Sequence, residues 1–305
     1  MNVVIFLKRS IFNQTKVIKI YDGIGNNPQT IRKFYNFGFK KMQKHKAKKS
    51  LGQNFLKSEQ ALREIIKAGD ITQNDTILEI GPGKGALTER LLEKAGCVVA
   101  IEKDQELIPF LNEKFKNDIE NKKLTLIEGD VLELEMSKTV FDKYKIVANI
   151  PYNITGAILK KFLTEDKQPE LMVLLVQKEV ADRIIARDGK ESLLSVSVKV
   201  YGTPTYIMKV PARYFSPAPK VDSAVIKISN ISREFFNKNK IDQSLFWELV
   251  RAGFAHKRKI VAGNLKTWRP ELDWQKVLID SGVEKNARAE DLTIANWVSV
   301  FKHLE

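Results

Sequence analysis

The sequence predicts an α/β fold with a mainly parallel sheet, followed by a small C-terminal all-α domain. Between residues 58 and about 190, short apolar runs alternate with segments of helical spacing, which is the pattern of parallel strands joined by crossover helices. From about residue 235 onward, the apolar residues follow helical spacing only. We therefore expect an α/β domain at 42–232 and a helical domain at 233–305, preceded by a basic extension at 1–41.

The alternating part begins with a helix in SEQALREIIKAGD, where Ser58 is a suitable N-cap. The strands that follow are expected in DTILEIG, CVVAIEKD, LTLIEGDV, YKIVANIPY and ELMVLLVQ, and the helices between and after them in ALTERLLEKAG, QELIPFLNEKF, ITGAILKKFLT and KEVADRI. After residue 190, the runs LLSVSVKVYG, PTYIMKVP and SAVIKISN have strand-like patterns without helices between them. The sheet is therefore expected to end with antiparallel strands.

Composition excludes several classes of protein. Hydrophobic residues make up 43% of the chain, which is ample for a buried core. The single cysteine, Cys97, excludes an intramolecular disulfide, and three histidines without a His/Cys cluster argue against a metal site. No apolar run approaches the roughly 18 residues of a membrane span, and the opening NVVIFL has the wrong flanks for a secretory signal. We expect a cytoplasmic protein without metal or membrane contact.

The positive charge is concentrated at the start of the chain. The first 57 residues hold thirteen Lys or Arg and one acidic residue, so of the net charge of +14 only +2 remains for the rest. Such a basic arm favours a polyanionic partner through release of counterions. A solvated extension explains residues 1–41 equally well. A transit-like peptide is a further alternative, and a start assigned upstream of the true one at Met42 is the interpretation that we favour.

A glycine-rich turn follows the first predicted strand in ILEIGPGKGALT. Gly81, Gly83 and Gly85 suit a backbone that turns tightly and approaches a ligand closely. Their G-x-G-x-G spacing differs from the G-x-G-x-x-G of dinucleotide folds, and no Walker-type Lys-Ser/Thr pair follows. Phosphate binding is therefore disfavoured, although a purely structural turn would also use glycine.

The next three predicted strands also end in polar residues. Glu102 can accept both hydroxyls of a ribose, Asp130 can accept an exocyclic adenine amine, and Asn149 closes the fourth strand. Ligands of such sheets bind beyond the carboxyl ends of the parallel strands. The combination predicts an adenosine-containing cofactor that needs no phosphate contact, which indicates S-adenosylmethionine.

The run Asn149-Ile150-Pro151-Tyr152 suits methyl transfer to an exocyclic amine of a base. The amine is a poor nucleophile because its lone pair is delocalised into the ring. An amide oxygen that accepts its N–H bond favours rehybridisation, and Pro151 keeps the turn rich in acceptors. Tyr152 offers a ring for stacking, and Phe215, in a proline-stiffened loop, is a candidate second aromatic.

With these residues in place, the sequence resembles the ribosomal RNA adenine N6-dimethyltransferases. The family's segments occur in its order: KKSLGQNFL, EIGPGKGALT, AIEKD, GDVL, NIPYNI, QKEVADRI, FSPAPKVDSAV and FAHKRKIVAGNL. The resemblance implies a Rossmann-like fold and an S-adenosylmethionine site formed by Asn54, Leu56, Gly81, Glu102, Asp130 and Asn149. It also implies that Asn149, Tyr152 and Phe215 hold the target adenine.

The small-subunit branch of the family dimethylates two adjacent adenosines in a hairpin loop near the 3′ end of 16S rRNA. The resemblance therefore implies the small ribosomal subunit as partner, and nothing in the sequence suggests an obligate dimer. The predicted RNA contacts are Lys48, Lys49, Lys257, Arg258 and Lys259, although a solvated surface would carry the same charges. Two local departures are Glu191-Ser192, where members often have Tyr-Gly, and Ile260-Val261, where Thr-Leu is usual.

Other functions remain open at this point. The large-subunit rRNA enzymes of macrolide resistance share the core, although QNFL and FAHKRK favour the small-subunit branch. DNA adenine methylases typically carry Asp/Asn-Pro-Pro-Tyr instead. A ribosome assembly factor or transcription-factor-like relative without catalysis would keep the fold, but the complete set of cofactor residues argues against it. The glycine spacing makes a nicotinamide dehydrogenase a poor fit.

Overall fold

The computed structural model of the chain describes residues 46–135 and 143–304, so the expectations for residues 1–41 lie outside the described part. Residues 47–305 cluster as one compact unit. The division of this unit into domains at 232/233 stays a prediction. Among the described residues, no helix is long and apolar enough to cross a membrane.

Strands and helices alternate through the first two thirds of this unit. The strands are β1 (Phe55–Leu56), β2 (Thr76–Ile80), β3 (Cys97–Glu102), β4 (Leu124–Glu128), β5 (Lys145–Asn149), β6 (Leu171–Gln177), β7 (Thr203–Val210), β8 (Phe215–Ser216) and β9 (Ser223–Ser229). The helices are α1 (Glu59–Ala68), α2 (Ala86–Lys94), α3 (Ile108–Lys114), α4 (Lys116–Glu120), α5 (Thr155–Thr164), α6 (Lys178–Ile185), α7 (Leu193–Lys199), α8 (Glu234–Asn239), α9 (Gln243–Gly253), α10 (Val261–Trp268), α11 (Trp274–Asp280) and α12 (Ile294–Lys302).

The main sheet has the strand order β4-β3-β2-β5-β6-β9-β7. Strands β2 to β6 pair in parallel, and β9 runs antiparallel between β6 and β7. The chain leaves β2 toward β3 and β4, then returns to place β5 on the opposite side of β2. This reversal creates a crevice at the carboxyl ends of β2 and β5, where α/β sheets bind ligands. The predicted sheet and its antiparallel end are confirmed.

The central strands are buried on both faces. In β5, Ile146, Val147 and Ala148 are fully buried, as are Met172 through Val176 in β6. This burial explains why these strands have continuous apolar runs instead of alternation. At the entrance to α1, the Ser58 hydroxyl accepts the Ala61 N–H at 3.2 Å, so the predicted N-cap is confirmed.

One predicted strand is wrong. Residues Leu193–Lys199 of LLSVSVKVYG form α7, not a strand. The alternation of Val and Ser imitates a strand pattern, but Ser192 and Ser195 form a capping box that begins a helix. Glu191, one of the departures from the family pattern, pairs with Lys199 one helix length away.

The helical C-terminal region is confirmed, and it contains a break between α9 and α10. Phe246, Trp297 and Phe301 are buried at its centre, and the rings of Phe246 and Phe301 lie 6.1 Å apart. Helix α9 ends at Gly253 and α10 begins at Val261. The cationic run at 257–259 therefore lies in an exposed turn between two helices rather than on a helix face.

Candidate functional site

A cavity of about 340 Å³ lies beyond the carboxyl ends of β2 to β5. Its lining includes Gly81, Glu102, Asp130 and Asn149, which follow or end four neighbouring strands. The other side is formed by residues 50–57, which precede α1. The structure thus brings together the polar strand ends that the sequence places far apart.

The glycines of the first turn have distinct environments. Gly81 has φ +68°, and a Cβ built there would meet no atom within 4 Å, so it would project into open space in the cavity lining. Gly83 has φ +59°, and its Cβ would lie 3.0 Å from the Phe55 ring. Both positions need glycine for backbone conformation, and Gly81 also leaves space for a ligand.

The sequence predicts that Gly85 contacts the cofactor, but in the structure Gly85 does not line the cavity. A Cβ at this position would lie 2.5 Å from the Phe115 ring, and φ is +78°. The third glycine therefore permits close packing of α2 against the segment after β3.

Glu102 is nearly buried, and both carboxylate oxygens accept backbone N–H groups. Oε2 accepts from Gly83 at 3.0 Å and Oε1 from Asp104 at 2.8 Å. Burial raises the pKa of Glu102, while these N–H groups reduce the shift. A carboxylate has about four lone-pair sites, so this group can still accept from ligand hydroxyls. The carboxylate is thus held in a fixed orientation in the cavity lining.

Asp130 caps the turn that follows β4. Its Oδ1 accepts the Leu132 N–H at 2.9 Å, and its Oδ2 pairs with the Lys103 ammonium at 2.6 Å. Burial alone would raise the pKa of Asp130, but Lys103 and the Leu132 N–H outweigh it and lower the pKa. The group is therefore an ionised hydrogen-bond acceptor at neutral pH.

Asn149, Pro151 and Tyr152 all line the cavity. The Asn149 Nδ2 donates to the carbonyl oxygen of Asn54 at 3.0 Å, whereas Oδ1 has no hydrogen-bond partner among the described residues. The Tyr152 hydroxyl lies 2.5 Å from the Ser223 Oγ. The amide oxygen is thus available for a substrate donor, and the ring is anchored at its far end.

Phe215 lies beside the cavity rather than in its lining. It is 3% exposed and pairs across β8 and β1 with Leu56. The next residue, Ser216, lines the cavity, as does Leu56. Tyr152, which is half-buried, thus lies in the cavity lining, whereas Phe215 lies behind it.

The segment Lys48–Leu56, here called the strap, contributes Asn54 and Leu56 to the cavity lining. The Lys48 ammonium lies 2.6 Å from a carboxylate oxygen of Asp104. The structure therefore gives Lys48 an intramolecular partner, and its role in RNA binding stays a prediction. Lys49, its neighbour, is exposed.

Comparison with known sequences identifies the family. A sequence profile described as "Ribosomal RNA adenine dimethylase" matches residues 44–305. The chain belongs to the ribosomal RNA adenine dimethylase family. A relative from Dehalococcoides mccartyi (strain CBDB1), "Ribosomal RNA small subunit methyltransferase A", is 41% identical over 83% of this chain and 86% of its own. A relative of the same name from Fusobacterium nucleatum is 38% identical over 85% of this chain and 98% of its own.

Two solved structures with the same fold each match most of this chain and nearly all of their own length. A dimethyladenosine transferase from Plasmodium falciparum is 26% identical, with a TM-score of 0.68 over 82% of this chain and 97% of its own. The 23S rRNA methyltransferase ErmE has the same TM-score at 24% identity, covering 82% and 99%. At that identity, the likeness to ErmE concerns the fold alone.

The family's cofactor, S-adenosylmethionine, fits the residues present. The open space at Gly81 leaves room for a ligand against the backbone, and the Glu102 carboxylate suits ribose hydroxyls. Asp130, in the cavity lining, would supply an acceptor for the adenine amine. Residues 46–135 and 143–304 contain no group of three or more side chains that could hold a metal ion.

Three residues of this dimethylase site are missed by sequence reasoning. Glu79 is 1% exposed, lines the cavity and receives a hydrogen bond from Thr88 at 2.7 Å. Asp104 binds the strap, and Ser223 binds Tyr152. Glu79 could have been found from the sequence, because a carboxylate stands inside an otherwise apolar strand in LEIG. Asp104 and Ser223 depend on contacts between distant segments, which no local sequence pattern shows.

The turn that carries Lys257, Arg258 and Lys259, here called the cationic turn, is fixed by hydrogen bonds from a buried side chain. Asn264 of α10 donates from Nδ2 to the carbonyl oxygens of Gly253 at 2.6 Å and His256 at 3.2 Å. Lys257, Arg258 and Lys259 follow directly and are exposed, and no salt bridge is recorded for them within the described residues. The turn therefore presents three unneutralised cations on a fixed backbone.

Proposed function

We propose that this rRNA adenine dimethyltransferase acts on two adjacent adenosines in the 3′-terminal hairpin loop of small-subunit (16S) rRNA. It transfers two methyl groups to each N6 amine. In this proposal the protein works in the cytoplasm as a monomer, without metal, during small-subunit biogenesis. The names of its relatives favour the small subunit over the large one.

The observation that carries the proposal is the geometry of Asn149. Its Nδ2 is fixed by the Asn54 carbonyl, so Oδ1 has a defined direction in the cavity lining. If the adenine N6–H group donated a hydrogen bond to Oδ1, the N6 nitrogen would be aligned for attack. Its lone pair would then lose conjugation with the ring. Bound S-adenosylmethionine supplies a methyl group that its sulfonium already activates. Asn149 therefore positions the amine and does not need to act as a base.

Tyr152 completes the adenine site in this proposal. Its ring would stack on the base, an interaction worth roughly 1–3 kcal/mol. Stacking tolerates a methyl group on N6, because the contact is made by the ring face. The same site can therefore bind adenosine and its monomethylated product, as a double transfer requires.

The RNA is held at a distance from the chemistry by the cationic turn at 257–259. Three exposed cations on one turn suit the phosphate backbone of an RNA helix, since such contacts give affinity without reading sequence. Lys49, within the strap, adds a further exposed charge. In this arrangement the backbone contacts place the hairpin loop, and the cavity selects the base.

A methyl-transfer assay tests the proposal directly. The purified protein and labelled S-adenosylmethionine are combined with undermethylated small subunits, with large subunits and with duplex DNA, and the nucleosides are analysed by mass spectrometry. We expect N6,N6-dimethyladenosine in small-subunit rRNA alone. Product in large-subunit rRNA or DNA would reject the substrate assignment. A second protein lacking residues 1–41 tests whether that segment is needed.

A further inference from the structure

The strap closes one side of the cofactor cavity. Seven consecutive residues of the chain, from Ser50 to Leu56, line the cavity opposite the strand ends. At its far end the strap is joined to the fold by the β1–β8 pair and by a bond from the Lys57 N–H to the Tyr214 carbonyl at 2.8 Å. Its near end, at Lys48 and Gln53, is held by side-chain bonds to Asp104.

Asp104 binds the near end of the strap with both carboxylate oxygens. Oδ1 is 2.6 Å from the Lys48 ammonium, and Oδ2 accepts from Gln53 Nε2 at 2.6 Å. The Gln53 Oε1 in turn accepts the backbone N–H of Lys48 at 2.8 Å, so the three residues form a closed network. Asp104 is 1% exposed, which places the network at the edge of the protein interior. Charge-assisted bonds in such surroundings are strong and directional.

Asp104 also contacts the ribose-binding carboxylate through its backbone. Its N–H donates to Glu102 Oε1 at 2.8 Å. On the other side of the cavity, the strap carbonyl of Asn54 accepts from the Asn149 amide. One residue thus connects the strap with the cofactor-binding strand end, and the strap connects with the amide that positions the substrate amine.

We propose that Asp104 is a positioning residue that latches the strap over bound S-adenosylmethionine and, through Asn54, orients Asn149. The inference rests on the proposed placement of the cofactor in this cavity. The latch slows cofactor exchange and keeps Oδ1 of Asn149 aimed at the substrate. It makes no contact with the reacting atoms.

Asp104→Asn is the first test. The amide nitrogen of asparagine is a donor, so it cannot accept the hydrogen bond from Gln53 Nε2, and two donors would face each other there. The substitution also removes the negative charge opposite Lys48. We expect the dissociation rate of S-adenosylmethionine, measured without RNA, to rise roughly tenfold. The KM for cofactor should rise by a similar factor and kcat should fall, while the KM for rRNA stays unchanged.

The double variant Asp104→Asn/Gln53→Glu separates a latch from a general structural role. The asparagine amide can donate to the carboxylate introduced at position 53, and its oxygen can still accept from Lys48. We expect the exchange rate to return to within about threefold of the wild-type value. Failure of this rescue, with a melting temperature equal to wild type, would overturn the proposal.

Matched variants control for charge and for folding. Glu106→Gln removes an exposed carboxylate that lies 3.2 Å from the same Lys48 ammonium, and it should leave cofactor exchange unchanged. If Asp104→Asn does not fold, Lys48→Met tests the same latch from the strap side, with Lys49→Met as its neighbouring control. Faster exchange in Lys48→Met but not in Lys49→Met supports the latch, and equal rates in both reject it.

A further variant distinguishes failure of the latch from failure of the cofactor site. Glu102→Gln weakens the proposed ribose contact, and we expect it to reduce cofactor affinity in equilibrium titration. If Glu102→Gln binds as tightly as wild type, the cavity is not the cofactor site and the proposed function fails with it. If Glu102→Gln binds weakly while Asp104→Asn exchanges cofactor normally, the latch alone is rejected.

Discussion

In the proposed mechanism, Asn149 meets two demands with one side chain: its amide nitrogen binds the strap, and its amide oxygen accepts from the substrate amine. Asn149→Ala removes both. We expect kcat to fall by about 10²–10³, the usual cost of deleting one preorganised hydrogen-bonding group at a reacting centre. Single-turnover assays at saturating cofactor and rRNA measure the loss. Cofactor affinity, measured by calorimetry, should change little, because Asp104, the β1–β8 pair and the Lys57 N–H still hold the strap. Unchanged turnover would remove Asn149 from the chemistry.

Tyr152 and Ser223 are predicted to act as one unit. Ser223 is fully buried in β9, and its hydroxyl lies 2.5 Å from that of Tyr152. Tyr152→Phe and Ser223→Ala should each lower kcat by about 2- to 12-fold, the range of one hydrogen bond. The double variant should be no slower than the worse single variant, because both remove the same bond. Losses that multiply would show that the two residues act independently.

Glu79 gives the enzyme a pH-dependent stability. Burial raises its pKa to about 8, while the hydrogen bond from Thr88 opposes the shift and the charge of Glu102 adds to it. The folded protein therefore holds a proton that the unfolded chain releases above the ordinary value of 4.5. Because the unfolded state binds fewer protons, stability falls as pH rises from about 4.5 to about 8.

The comparison of wild type with Glu79→Gln tests this dependence. Urea unfolding without cofactor, at about pH 6, 7 and 8, gives the free energy of unfolding of each protein. We expect the wild type to lose stability relative to the variant by on the order of 1 kcal/mol per pH unit. Parallel profiles for the two proteins would show that Glu79 is ionised throughout this range.

The role of the strand-to-helix turn after β2 in cofactor binding can be tested by comparing Gly81 with a second glycine of similar backbone conformation. Gly81 and Gly189 have φ values of +68° and +76°, and a Cβ on either would meet no atom within 4 Å. Alanine at each should cost a similar 1–2 kcal/mol or so of stability, from backbone strain alone.

Cofactor binding should separate these two variants. Gly81 lines the cavity, whereas Gly189 lies in the exposed loop between α6 and α7. Gly81→Ala should weaken S-adenosylmethionine by roughly tenfold, since an added methyl group overpacks the occupied site. Gly189→Ala should bind as wild type does. Equal affinities would mean that no ligand approaches Gly81.

The elements differ in how far local sequence determines them. The buried strands β2 to β6 are predictable because apolar runs between helical segments have one common solution, a parallel sheet. Their order also fixes the edge where Glu102, Asp130 and Asn149 meet. The helix α7 is not predictable from alternation, since its capping box and the burial of Ser195 outweigh the strand-like pattern. The bond between Lys48 and Asp104 joins residues 56 positions apart and requires the folded chain.

The distribution of charge belongs to the whole molecule. Most of the net charge of +14 precedes residue 58, yet the structure ties Lys48 to Asp104 and leaves the 257–259 turn exposed. Charge counting therefore predicts a polyanionic partner but not which cations meet it. The turn is the stronger candidate because Asn264 fixes its backbone and no acidic partner is recorded there within the described residues.

Lys257→Glu/Arg258→Glu should weaken binding to small-subunit rRNA and make it less sensitive to salt. Each phosphate contact contributes about 0.7–0.9 to the slope of log K against log salt, so losing two should reduce the slope by roughly one to two units. Lys276→Glu/Lys285→Glu is the matched control, since it changes the net charge equally at exposed lysines on α11 and the turn after it. Filter binding across a salt series measures both. A change in slope shared by the two variants would indicate a general effect of net charge, whereas a change confined to the turn would identify it as a phosphate contact.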